Sequence, residues 1–126
     1  MRPIRVMIVC IALLMGGWLA FDGTRALTTG DYTTAKNGPY AGQLGPWSRV
    51  VAALRLNPRG NLIKFLHVAL GVLWLVAMIA FVLQPTLGWW ALLGSAILSL
   101  WYLPFGTVLG LIELGLLFLP QIRSLR

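Results

Sequence analysis

Residues 104–126 read PFGTVLGLIELGLLFLPQIRSLR, an apolar run with one carboxylate, Glu113, near its middle. An ionised carboxylate at the centre of a membrane-spanning helix costs about 2.5–3.5 kcal/mol on insertion scales. Lipid supplies no hydrogen bonds that would offset this cost. The stretch therefore predicts a membrane helix in which Glu113 is protonated, paired, or turned towards the interior of the protein.

The spacing around Glu113 indicates which face of the helix it occupies. Gly106, Gly110, Glu113 and Leu117 recur at helical spacing and share one face. Small residues four positions apart allow helices to approach closely in lipid, so we expect Gly106 and Gly110 to pack against a neighbouring helix. Two interpretations of Glu113 follow. In one, it is a neutral structural group that is hydrogen-bonded to a neighbour, and in the other it handles protons or ions.

The composition places the whole chain in a membrane. Of its 126 residues, 59% are hydrophobic and 10% are charged, and the mean hydropathy is +0.84. Soluble domains carry about 25% charged residues, so this chain cannot cover a soluble surface. The net charge is +7, and the basic residues flank apolar runs. Anionic lipid headgroups, and not nucleic acid, are therefore the expected partners.

The apolar runs predict one all-α membrane domain with four transmembrane helices, over residues 4–22, 62–84, 87–103 and 105–121. The first run resembles a secretory signal, but it lacks a good small-x-small cleavage pattern. We interpret it as an uncleaved signal-anchor helix. The last two runs are close to the lower limit of about 17 residues for one crossing, and a re-entrant hairpin is the alternative for them.

Between the first two helices, residues 22–61 are rich in glycine and threonine and predict a water-facing loop. Within it, residues 46–56 predict a short amphipathic helix. Aromatic residues near the predicted helix ends are expected at the membrane surface: Trp47, Trp89, Trp90, Trp101 and Tyr102. Small residues at four-residue spacing predict a second close-packing face: Ala91, Ser95 and Ser99.

Four crossings would place both termini on one side of the membrane. Basic residues are more numerous on the other side, with the long loop, which favours a cytoplasmic loop. The flanks of the first helix favour the opposite, because Arg2 and Arg5 precede it, and the first helix usually dominates orientation. We therefore expect a bacterial cytoplasmic membrane protein with both termini in the cytoplasm.

His67 and Glu113 are the polar residues expected inside the membrane. Counted from the starts of their predicted helices they lie at similar depth, so a pair that shares a proton is one hypothesis. With one histidine and one cysteine, Cys10, the chain predicts no metal or haem site and no cofactor.

The scarcity of reactive side chains favours a non-enzymatic accessory, assembly or scaffold protein that forms a homo-oligomer or joins a larger membrane complex. The alternative is a small oligomeric transporter or proton-coupled carrier that uses Glu113. A weaker alternative is a membrane enzyme or a quinone-handling subunit.

Overall fold

A computed structural model describes residues 2–32, 44, 46–102 and 105–125, and this part of the chain consists of helices joined by turns, without strands. The helices are α1 (Arg2–Thr29), α2 (Trp47–Ala53), α3 (Asn61–Leu83), α4 (Pro85–Leu98), α5 (Phe105–Leu117) and α6 (Pro120–Arg123). Helices α1 and α3 are long and apolar enough to cross a membrane, whereas α4 and α5 are shorter apolar helices.

Helices α1, α3, α4 and α5 form a bundle in which each packs against the next, and α5 returns to α1. Helices α1 and α3 are antiparallel, because Gly16 of α1 faces Leu75 of α3 while Gly23 faces His67. We call the end with α2 and the start of α3 the loop end. The other end, with the start of α1 and α6, is the terminal end.

Glycines bring the helices into backbone contact at three of the four seams. A Cβ atom on Gly71 of α3 would lie 2.8 Å from the carbonyl oxygen of Gly16 on α1. A Cβ on Gly88 of α4 would meet the backbone of Phe81 on α3, and one on Gly106 of α5 would meet the carbonyl oxygen of Ser99, the residue that follows α4. No larger residue fits these positions without separating the helices, so the bundle is a tightly closed unit.

The bundle buries large aromatic side chains and exposes aliphatic ones. Trp74 and Trp89 are fully buried, and the indole Nε1 of Trp74 donates a hydrogen bond to Ser99 Oγ at 2.8 Å. Large hydrophobic side chains are more than 50% exposed on each of the four main helices, including Leu13, Val76, Ile97 and Leu111. A surface of this kind is expected to face lipid, where exposed apolar side chains carry no penalty.

Helix α1 continues well beyond residue 22, the end predicted for the first helix. Asp22, Gly23 and Ala26 are buried, so the face that packs against the bundle extends past the apolar run. The helix ends before Gly30, whose φ of +97° suits the left-handed position that follows many helices.

The other boundaries also differ from the predicted ones. Helix α4 ends at Leu98, not residue 103, and α5 ends at Leu117, not residue 121. The second difference has a clear cause, because Pro120 cannot continue a helix and instead begins α6.

The predicted water-facing loop contributes to the core. Tyr32, Trp47 and Val51 are 2–5% exposed, because they cover the loop end of the bundle. Residues 33–43 and 45 of this loop, and residues 103–104 before α5, lie outside the described residues.

Candidate functional site

Polar and aromatic side chains converge at the loop end of the bundle. We call this the loop-end cluster, and it consists of Asp22, Tyr32, Trp47, His67, Trp101 and Tyr102. Asp22 comes from α1, Tyr32 follows that helix, Trp47 begins α2, His67 lies on α3, and the last two residues follow α4. Because separate segments supply its members, only the folded chain forms this cluster.

His67 lies at the centre of the cluster and is fully buried. Its ring centroid is 4.7 Å from that of Tyr32, 4.6 Å from that of Trp47 and 5.3 Å from that of Tyr102. Its Nδ1 lies 2.8 Å from the carbonyl oxygen of Ile63. A carbonyl only accepts hydrogen bonds, so Nδ1 carries a proton. The other ring nitrogen, Nε2, is buried and has no hydrogen-bond partner within the described residues.

Two tyrosine hydroxyls accompany the imidazole. The Oη of Tyr102 accepts a hydrogen bond from Trp18 Nε1 at 2.9 Å, whereas the buried Oη of Tyr32 has no partner among the residues that the structure describes. Burial, and then the nearby charge of Asp22, raise the pKa of Tyr32 above its usual value. The hydroxyl is therefore protonated at neutral pH and is available as a hydrogen-bond donor in an aromatic, water-poor environment.

Two polar contacts hold the segment after α1 against the bundle. Lys64 Nζ donates a hydrogen bond to the carbonyl oxygen of Gly30 at 2.9 Å, and Arg59 Nε lies 3.1 Å from Asp31 Oδ1 in an ion pair. The ion pair is almost half exposed, so it contributes at most about 1 kcal/mol. These contacts position Tyr32 over His67.

Glu113 lies in a different environment, on the seam between α5 and α4. The buried residues of α5 are Gly106, Gly110, Glu113 and Leu117, which are the four that share a face in the sequence. Glu113 is fully buried, and neither of its carboxyl oxygens has a hydrogen-bond partner among the described residues. One turn before Glu113, the backbone of Gly110 lies close to that of Ala96 on α4. One turn after it, Trp89 Nε1 of α4 donates a hydrogen bond to the carbonyl oxygen of Leu117 at 2.8 Å.

The structure does not bring His67 and Glu113 together. Neither Nε2 of His67 nor the carboxyl oxygens of Glu113 bond to any described residue. His67 packs against Tyr102, which is next to Gly106, and Glu113 lies seven residues further along α5, or about 10 Å. His67 lies level with the start of α5, whereas α3 begins about 9 Å further towards the loop end. The first residues of α3 and α5 therefore lie at different depths, and so do His67 and Glu113.

The predicted interfacial aromatics are divided between the interior and the surface. Trp47, Trp89 and Tyr102 are buried, Trp101 is partly buried, and Trp90 is 53% exposed. Of the predicted small-residue face on α4, Ser95 and Ser99 are buried and Ala91 is partly buried.

Asp22 and Tyr32 are site residues that the sequence did not predict. A signal for Asp22 was present, because Leu19, Asp22, Gly23 and Ala26 recur at helical spacing and are all buried. No local pattern singles out Tyr32, because its position depends on how the segment after α1 folds back.

The described residues include no group of three His, Cys, Asp or Glu side chains that could hold a metal ion. No protein-family model, curated protein or solved structure matches this chain.

Proposed function

We propose that this chain is a non-enzymatic integral membrane protein that acts as an accessory or assembly component of a larger membrane complex. The observation that carries the proposal is the glycine packing of the bundle. Backbone contacts at Gly71, Gly88 and Gly106 hold adjacent helices together with no room for side chains between them. Alternating access in a carrier requires one part of the bundle to move against another, and these backbone contacts oppose such movement. Docking of a partner on the outer surface does not require it.

We propose four crossings, by α1, α3, α4 and α5, in a bacterial cytoplasmic membrane with both termini in the cytoplasm. The apolar side chains exposed on α4 and α5, such as Trp90, Ile97 and Leu111, support this topology, because they would be unfavourable in water. A reporter fused to the carboxyl terminus tests the orientation. If a reporter that is active only outside the cytoplasm were active in this fusion, the proposed orientation would be wrong.

A groove on the outer surface of the bundle is the proposed docking site for a partner. The α3–α4 groove has a volume of about 230 Å3 and is lined by Leu66, Ala69, Leu70, Leu73, Leu98 and Trp101. A second depression of about 170 Å3, beneath α2, shares Leu66 and Trp101 with it. Together they form an apolar surface, which we propose packs against a transmembrane helix of a partner protein through van der Waals contact.

Copurification in a mild detergent tests this proposal. The tagged chain should retain a partner membrane protein at a fixed ratio, and Ala69→Trp, which fills the α3–α4 groove, should release it. Leu111→Trp is the matched control, because Leu111 is 56% exposed on α5 and does not line the groove. Equal retention by both variants would contradict the docking site. A purified chain that carries a substrate gradient in liposomes would overturn the accessory function.

A specific observation favours one second candidate, a proton-coupled carrier. Both carboxyl oxygens of Glu113 lack a partner within the described residues although the side chain is fully buried, and intramembrane acids commonly mark ion pathways. A carrier must give this carboxyl transient access to water. Carbodiimide labelling of Glu113, and proton flux that Glu113→Gln abolishes, would favour the carrier, whereas an unlabelled residue and no flux would eliminate it.

A further inference from the structure

An apolar groove runs along the outer face of α1. We call it the α1 groove, and it is lined by Cys10, Leu13, Leu14, Gly17, Trp18 and Phe21. Its volume is about 520 Å3. Gly17 forms its floor, since a Cβ atom built there meets nothing within 4 Å. Leu13, Leu14 and Phe21 are more than 50% exposed and stand as its rims.

One wall of the α1 groove is fixed by the fold. Trp18 donates its indole N–H to Tyr102 Oη at 2.9 Å, so its polar atom is satisfied inside the protein. The Trp18 and Phe21 ring centroids are 6.1 Å apart. The wall therefore presents apolar surface outwards and is held in place before any ligand arrives, which lowers the entropic cost of binding.

The length of the groove matches one leaflet of a bilayer. From Cys10 to Phe21 it extends over about 16 Å of helix, and the hydrocarbon core of both leaflets together is about 30 Å thick. Tryptophan and tyrosine residues concentrate at the membrane interface, which agrees with the position of Trp18 and Tyr102 near the loop end. The groove thus follows the leaflet on the loop side.

A cation lies directly beyond the outer end of the groove. Arg25 is exposed and follows Phe21 by four residues, so it shares the face of the groove one helical turn further out. That displacement is about 6 Å, which corresponds to the headgroup layer outside the hydrocarbon core. An apolar groove with a guanidinium group at its outer end complements a lipid that has an acyl chain and a phosphate.

We propose that the α1 groove binds one anionic phospholipid of the loop-side leaflet, with an acyl chain over Gly17 and the phosphate at Arg25. This site is separate from the proposed docking groove on α3 and α4.

A second copy of the chain is a poorer occupant of the groove, because its one accessible side-chain carboxylate, Asp31, is already paired with Arg59. The other two of the three acids in the sequence, Asp22 and Glu113, are 3% and 0% exposed. An anionic headgroup supplies the missing charge, and guanidinium groups bind phosphate through paired hydrogen bonds.

Native mass spectrometry of the full chain in mild detergent tests the proposal. The probes are phosphatidylglycerol and phosphatidylcholine with identical acyl chains. We expect one phosphatidylglycerol per chain to be retained in preference to phosphatidylcholine. Arg25→Gln should weaken this retention about fivefold, the effect of one basic residue beside an anionic surface. Equal retention of the two lipids by the wild-type chain, or an unchanged affinity of Arg25→Gln, would overturn the headgroup assignment.

Filling the groove tests the acyl-chain half of the site. Gly17→Leu should abolish the preferential retention, whereas Gly115→Leu should not, because Gly115 is also an open helical position but lies on α5. Should Gly17→Leu fail to fold, Leu14→Trp narrows the groove from its exposed rim and should have the same effect. Identical lipid binding by the groove variant and the Gly115 control would refute the site. The site would also be refuted if Gly17→Leu left lipid retention unchanged and only removed a second protein chain from the complex.

Discussion

The substitution Gly71→Ala tests whether glycine contacts hold the bundle together. A Cβ atom at this position would lie 2.8 Å from the carbonyl oxygen of Gly16 and 2.9 Å from the Cα of Ala20, whereas ordinary van der Waals contact begins at 3.4 Å. The backbone nitrogen of Ala20 lies closer still, so helices α1 and α3 would have to separate by about 1 Å. Because the obstructing atoms belong to the backbone, no change of side-chain rotamer relieves the overlap.

The expected cost follows from two opposing effects. Overpacking a well-packed core costs about 1–3 kcal/mol, and a backbone obstruction places Gly71→Ala at the upper end. Alanine recovers up to about 1 kcal/mol through its better helix propensity. We expect a net loss of about 2 kcal/mol, a large part of the 5–15 kcal/mol by which proteins are usually stable.

The matched control is Gly94→Ala on α4, where an added Cβ meets nothing within 4 Å. Only the propensity gain applies there, so this variant should be as stable as the wild-type chain or up to about 1 kcal/mol more stable. The free energy of unfolding would be measured by titration with sodium dodecyl sulfate in mixed micelles, followed by circular dichroism. Equal stability of the two variants would refute the glycine-packing argument, and with it the main support for a rigid bundle.

Three further substitutions have expected outcomes that the same unfolding assay checks. Trp74→Phe removes the hydrogen bond to Ser99 and should cost about 1 kcal/mol, whereas Trp90→Phe, at an exposed position, should cost almost nothing. Glu113→Met replaces a buried carboxyl that has no partner within the described residues and should stabilise the chain by about 1–3 kcal/mol; a loss of stability would mean that the carboxyl is paired. Burial raises the pKa of Tyr32 in the folded chain above the pKa of about 10 that tyrosine has in unfolded chains. The stability contributed by the neutral hydroxyl is therefore fully present below about pH 10 and is lost as the pH rises towards the pKa of the folded state. Tyr32→Phe should therefore make the decline in melting temperature between pH 9 and 11 shallower, and an unchanged decline would contradict this explanation.

The sequence by itself determined the helical, apolar character of the chain. Hydrophobicity and the 3.6-residue period are local properties, so they identified the helices. The predicted helix ends differ from the observed ones where buried polar residues such as Asp22 extend a helix. The same periodicity assigned Gly106, Gly110, Glu113 and Leu117 to one face, and these are the residues that α5 buries. A face is a local property because it depends only on spacing along one helix.

Tertiary structure decided which faces meet and at what depth. The relative shift of two helices depends on side-chain packing and on where each connecting turn ends, and neither can be read from one segment. For this reason His67 packs among Tyr32, Trp47 and Tyr102 and not beside Glu113. The loop-end cluster has the same origin, because its members come from separate segments of the chain. Only packing brings the rings of Tyr32, Trp47, Trp101 and Tyr102 to within 4.6–5.8 Å of the His67 ring.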